Sequence, residues 1–201
     1  MKPLTLEMVA KPILGEAKLV ELTHKMITLG ARTQVIVAMT GLCDKRVRTL
    51  TKALTSAELQ RGPCQFPNAK FFAGAQRKKN PNANLHSTMF LSGHVDLKNR
   101  FSEAMHDGFM LAATFEVYQE EVLRHDMNHG DGVLDINRAY ALVRCYNRQE
   151  IELVRCSCCD SKYLILNWYE SDALTCPICA KSAHRRFLAE VAKQGGRRRI
   201  A

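Results

Sequence analysis

Two cysteine pairs, Cys156 with Cys159 and Cys176 with Cys179, constrain this chain more than any other feature of its 201 residues. Each pair is a C-x-x-C, and sixteen residues separate them. A C-x-x-C turn sets two thiolates at the angle a tetrahedral metal ion requires and frees backbone N–H groups to support the sulfurs; a second turn completes the shell. Cys156, Cys159, Cys176 and Cys179 are therefore the expected ligands of one structural zinc ion. Four cysteines leave no position for water, which argues against a catalytic metal. The competing reading is a set of disulfides or free core thiols. Cys158 lies inside the first pair, where using it as a ligand would need an adjacent or single-gap pairing that bends the turn poorly. The spacing leaves open whether Cys158 or His184 ever enters the shell. Between the pairs, Tyr163-Leu164-Ile165-Leu166 reads as a short strand, Asn167 to Asp172 as a turn and Ala173-Leu174-Thr175 as a return run, in outline a zinc ribbon.

A chain that is 46% apolar and 24% charged can bury a real core, so the rest is expected to form one main domain with the metal module as an appendage. The expected layout is a mainly α-helical domain over 1–150, a zinc-binding module over 151–183 and a basic tail over 184–201. Met1-Lys2-Pro3-Leu4-Thr5-Leu6-Glu7 has no apolar run, and no stretch approaches the roughly eighteen apolar residues that span a bilayer. The expectation is a cytoplasmic protein without a membrane anchor, whose eight cysteines serve as thiols and metal ligands. The net charge is +9, and residues 181–201 carry seven Lys or Arg against one acid, including Arg197, Arg198 and Arg199. Such clustering suits a polyanion such as DNA, through counterion release, and equally suits a solvated tail that keeps the protein soluble.

Residues 1–14 read as a loose arm with Pro3 and Pro12. Leu19, Leu22, Met26 and Leu29 then recur at helical spacing, with Gly30 as a stop, and Ala31 to Met39 continues as a second helix. Thr40-Gly41-Leu42 follows, a sharp turn in which Gly41 supplies positive φ and Leu42 plugs the angle between helices. Asp44 suits the start of a third helix, whose Val47, Leu50 and Leu54 would face inward. Lys45, Arg46, Arg48, Thr49 and Lys52 would then face outward, the residue types that contact phosphates and base edges. The stretch from about 31 to 54 is thus helix-turn-helix-like, although Val37 is bulky for a close helix contact and Cys43 replaces the usual capping hydroxyl.

Residues 55–100 carry Gly62-Pro63, Phe66-Pro67 and Asn80-Pro81-Asn82, which break long elements, and Arg77-Lys78-Lys79 as a basic loop. His86 and His94 read as core or surface histidines rather than ligands. A long helix is expected from Phe101 to about Arg124 on the stripe Met105, Phe109, Ala112, Phe115, Tyr118 and Val122. After a turn at Asn128-His129-Gly130-Asp131-Gly132, Asp135 can cap a further helix carrying Ile136, Ala139, Val143 and Tyr146. These stripes are most simply core, and a Met- and Phe-rich face can also dock a partner.

Several stretches together resemble the FlhC family, the C subunit of the bacterial flagellar master regulator: Ile27-Thr28-Leu29-Gly30-Ala31-Arg32, the basic helix after Gly41-Leu42, His86-Ser87-Thr88-Met89-Phe90, Arg138-Ala139-Tyr140-Ala141-Leu142-Val143-Arg144 and Cys156-Ser157-Cys158-Cys159. The similarity runs from about Glu16 to Cys179. The resemblance implies a mainly helical fold with a zinc-bound end, and places zinc on Cys156, Cys159, Cys176 and Cys179. It also implies a cytoplasmic transcription activator that works with FlhD, in an assembly of four D and two C subunits, at promoter DNA upstream of flagellar operons, where it recruits RNA polymerase.

Three readings of function follow. A DNA-binding activator subunit predicts affinity that falls steeply with salt and depends on the partner. A zinc-containing protein-interaction adaptor without direct DNA readout predicts partner binding that survives charge reversal at Arg46 and Arg48. A zinc enzyme is disfavoured, because no H-E-x-x-H and no deaminase pattern is present and the shell is already full.

Overall fold

The computed structural model describes residues 15–54, 65–74, 82–101, 104–124, 134–168 and 176–179. The N-terminal arm, Arg77-Lys78-Lys79, the 128–132 turn, the return run 173–175, His184 and the tail with Arg197, Arg198 and Arg199 lie outside them. The described residues form α1 (Glu16–Thr28), α2 (Thr33–Thr40), α3 (Asp44–Leu54), α4 (Ala69–Phe72), α5 (Ala83–Phe101), α6 (Asp107–Arg124), α7 (Ile136–Asn147), β1 (Ile151–Arg155) and β2 (Lys162–Leu166). The fold is mainly helical, as expected. Two compact units divide it: Met1–Phe66 with Gly93–Met127 and Asp135–Tyr140, and Pro67–Ser92 with Asn128–Leu134 and Ala141–Ala201. Both α5 and α7 contribute residues to each unit.

In the first unit, α1 buries Leu22, Thr23, Met26 and Ile27 on one face. It ends at Gly30, whose φ of +79° lets Gly30 N–H bond Ile27 O at 2.9 Å while Ala31 N–H bonds Met26 O at 2.9 Å. This paired closure satisfies carbonyls the helix would otherwise leave open. The turn into α2 is held from a distance. Arg32 N–H donates to Asn137 Oδ1 at 2.8 Å and Asn137 Nδ2 donates to Gly30 O at 3.2 Å, so one α7 amide serves both sides of the turn. Gly41, at φ +73°, closes α2 through its N–H to Val37 O at 2.9 Å. α6 buries Met110, Leu111, Ala112, Phe115, Tyr118 and Val122. It approaches α1 so closely at Gly108 that a Cβ there would lie 2.6 Å from Leu22 Cδ2.

The second unit carries an antiparallel hairpin in which Ile151 pairs with Leu166 and Arg155 with Lys162. Ile151, Leu164 and Leu166 are buried. The outer edge of β2 meets a side chain instead of a third strand. Asn84 of α5 donates to Leu164 O at 2.8 Å and to Ala73 O at 2.9 Å, and its Oδ1 accepts from Leu164 N–H at 3.3 Å and Thr88 Oγ1 at 3.2 Å. Asn68 caps α4, its Oδ1 accepting from Phe71 N–H at 3.2 Å.

Three expectations need correction. The helix expected from Phe101 begins instead at Asp107, where His106 Nδ1 accepts from Gly108 N–H at 3.1 Å, and Phe101 closes α5. The stretch 55–100, read as broken by its glycines and prolines, holds most of the long helix α5, whose inward face carries Asn84, His86, Ser87, Thr88 and His94, all buried, and so shows little hydropathy contrast. In α3 Leu54 is exposed, and Thr51 takes the inward place beside Val47. The Thr51 hydroxyl can be buried there because it donates to Val47 O at 2.8 Å. The helix starting beyond Asp135 forms as expected, with Arg138 N–H bonded to Asp135 Oδ1 at 2.7 Å.

Candidate metal centre and the basic helix

The first C-x-x-C is the connection of the hairpin. Cys156 N–H bonds Ser161 O at 3.0 Å, which extends the β1–β2 ladder by one step, and the chain then turns through 157–159. Asp160 closes the turn in the left-handed region at φ +57°, with its N–H on Cys156 O at 2.8 Å and its carboxylate on Arg155 at 2.9 Å. Aspartate is among the few residues that tolerate this conformation. The second pair sits on the short segment Cys176 to Cys179.

These two turns bring Cys156 Sγ to 3.7 Å from Cys179 Sγ and Cys159 Sγ to 3.7 Å from Cys176 Sγ, and all four sulfurs lie within 4.8 Å of one another. Zinc–thiolate bonds of about 2.3 Å in a tetrahedron place sulfurs about 3.8 Å apart, whereas a disulfide needs about 2.05 Å. The geometry therefore fits one metal ion held by four thiolates, and all four cysteines are unbridged. Cys158 is exposed and lies outside this group.

The electrostatics agree. The Ser161 hydroxyl and backbone N–H hold the Cys159 thiol down to about 6, the support for sulfur that such a turn provides. Cys176 is pushed up, foremost by burial, and Cys179 is pushed up by its hydrogen bonds with the Cys159 and Cys156 sulfurs. Four sulfurs this close do not all ionise by themselves, and a divalent cation is what makes the fully deprotonated set stable. Tyr163 is raised too, first by burial and then by the negative charge of Cys156, Cys176 and Cys179.

The outward residues of α3 are placed as expected: Lys45, Arg46, Arg48, Thr49 and Lys52 are all exposed while Val47 is buried. Two are not idle. Arg46 pairs with Glu16 of α1, and Arg48 pairs with Asp44 at 2.8 Å.

The family model of the flagellar transcriptional activator FlhC matches residues 8–189. The chain belongs to the FlhC family. Among curated FlhC proteins it is 28% identical over 174 residues to the flagellar transcriptional regulator of Xenorhabdus nematophila, covering 86% of this chain and 84% of that protein. It is 26% identical over 188 residues to that of Variovorax paradoxus, covering 94% and 87%. The Enterobacter cloacae protein gives 26% over 185 residues, covering 92% and 91%. The four-cysteine cluster thus lies inside a match that spans most of the chain. The spacing marks the four cysteines but neither Ser161, two residues beyond Cys159, which supports its sulfur, nor Asn84, which holds the outer edge of β2. Among the described residues no helix is long and apolar enough to cross a membrane.

Proposed function

We propose that this FlhC-family chain is a DNA-binding transcriptional activator subunit that acts in the cytoplasm with FlhD, in an assembly of four D and two C subunits, and recruits RNA polymerase to flagellar promoters. It has no catalytic role in this reading. The observation that carries the proposal is α3, a helix entered from a glycine turn with Lys45, Arg46, Arg48, Thr49 and Lys52 all presented to solvent, in a chain of a transcriptional activator family. Lysines and arginines on one exposed helical face neutralise phosphates, and an arginine that reaches a guanine edge discriminates bases by roughly 1–3 kcal/mol. Arg197, Arg198 and Arg199 would add phosphate contacts. Cys156, Cys159, Cys176 and Cys179 would hold one zinc ion, which supplies folding energy to a module too small to bury much apolar surface.

The test is a titration of a flagellar-promoter fragment with the chain alone, with FlhD, and with the Arg46→Ala/Arg48→Ala variant in the mixture. Tight, salt-sensitive binding that requires FlhD and collapses in the variant is the expected result. Full binding by the variant would remove α3 from the interface, and absence of binding by every mixture would favour a protein-interaction adaptor.

A further inference from the structure

Of the four cations on the outward face of α3, Arg46 is the one that, among the described residues, is held by a different helix. Its guanidinium meets the Glu16 carboxylate, thirty positions away in sequence, where the first turn of α1 lies beside α3. The Arg48 pair with Asp44 is of another kind, since it joins neighbours on one helix and moves with α3 as a unit. Both partners of the Arg46 pair are exposed, with side-chain accessibilities of 47% and 75%, so the pair forms at the surface that a polyanion would approach. A carboxylate on a guanidinium occupies the same N–H donors that a phosphate or a guanine edge would use.

We infer that Glu16 is a built-in competitor for Arg46, an intramolecular stand-in for phosphate that duplex DNA displaces, and that it lowers affinity wherever DNA uses Arg46. This rests on the assignment of α3 as the DNA-contacting helix. The pair must open before the Arg46 guanidinium can meet a phosphate or a base edge, so its free energy is subtracted from every such contact. A duplex that gains little from Arg46 can bind with the pair still closed, so a site that engages Arg46 through a bidentate contact loses at least as much as a duplex of arbitrary sequence. An exposed ion pair is worth at most about 1 kcal/mol, which limits the effect to roughly two- to fivefold.

The experiment measures binding of the full-length chain with FlhD to a promoter fragment and to a duplex of scrambled sequence, across a salt series, for the wild type, Glu16→Gln, Glu21→Gln, Arg46→Ala and the Glu16→Gln/Arg46→Ala double variant. Glu21 is an exposed acid on the same helix, so its variant removes an equal charge without touching the Arg46 pair. Expected is a two- to fivefold gain on the promoter for Glu16→Gln, an equal or smaller gain on scrambled duplex, convergence with wild type as salt screens the pair, and no gain in the Arg46→Ala background. An equal gain from Glu21→Gln, or a gain that persists without Arg46, would overturn the inference by showing that net charge alone is at work. A wild-type level for Glu16→Gln, with Arg46→Ala still impaired, would overturn it and leave α3 as the DNA helix. If Arg46→Ala binds normally, the α3 assignment fails first and the inference falls with it.

Discussion

Asn84 shows how much of this structure hangs on single polar side chains that hydropathy does not mark. It supplies the outer edge of β2 with the donor and acceptor that a third strand would have offered, and it also takes up the Ala73 carbonyl. Removing it strands three backbone groups in a buried place, at roughly 1–3 kcal/mol for each unsatisfied group before relaxation. Asn84→Ala is therefore expected to lower stability by about 3 kcal/mol, seen as a lower urea midpoint with an unchanged slope; a loss below about 1 kcal/mol would mean that water replaces the amide. His94, also buried, carries a pH dependence. Burial first, and Lys98 second, lower it to about 4 from an ordinary 6.5, with Asp107 opposing. The neutral ring is the folded form, and the unfolded chain takes up the proton first as pH falls. The stability tied to the neutral ring is full above about 6.5 and drains as pH drops toward 4, by on the order of 3 kcal/mol in all. His94→Gln should flatten the stability profile across that window, and a wild-type slope in that variant would assign the effect elsewhere. Neither role is visible from sequence, where Asn84 and His94 are two polar residues in a segment with no clear period.

At the scale of elements, two helices end by the same device with different residues. α1 closes through Gly30 at φ +79°, and α7 closes through Gln149 at φ +58°, with Glu150 N–H on Cys145 O and Gln149 N–H on Tyr146 O, both at 2.9 Å. A non-glycine residue in the left-handed region costs roughly 1–2 kcal/mol, partly offset because glycine loses more freedom on folding. Gln149→Gly is expected to stabilise the fold by up to about 1 kcal/mol, and its carbonyl bond from Asn167 survives the change. Gly30→Ala should cost about 1 kcal/mol, with no clash to confuse the reading, since nothing lies within 4 Å of the added Cβ. Thermal midpoints moving in opposite directions would support both; a Gln149→Gly variant less stable than wild type would show that the side chain matters more than the backbone. Gly30 announced its helix end in the sequence, while Gln149 gave no such signal. The same contrast separates the helices themselves. α1 and α7 were legible because apolar residues recur on one face, and Asp135 marked the start of α7. α5 was not, because most of its buried residues are polar, and only a tertiary partner such as Leu164 explains why Asn84 can be inside.

For the molecule as a whole, the candidate site was more legible than the fold around it, because metal ligation is written in spacing while packing is not. The four cysteines could be named from two C-x-x-C pairs alone. That β1 would precede the first pair and turn it into a hairpin connection required knowing that Ile151-Glu152-Leu153-Val154-Arg155 pairs with β2. This difference predicts how the protein would respond to losing a zinc ion held, as proposed, by the four cysteines. The hairpin is anchored by Asn84 and by buried Ile151, Leu164 and Leu166, none of which needs an ion. In the segment from Cys176 to Cys179 only Cys176 is buried, and among the described residues the segment's ties to the hairpin turn are the sulfur contacts of Cys179 with Cys156 and of Cys176 with Cys159. Zinc removal by a strong chelator, or Cys176→Ser, is therefore expected to release one zinc per chain, leave most of the helical circular dichroism at 222 nm in place, and change the fluorescence of Trp168, the chain's single tryptophan, which stands exposed two residues beyond β2. Thermal unfolding of the metal-free form should then lose its single transition, as a loosened module no longer melts with the helices. Loss of the helical signal together with the metal would instead mean that the thiolate cluster and the helices fold as one cooperative unit, with the ion stabilising all of it.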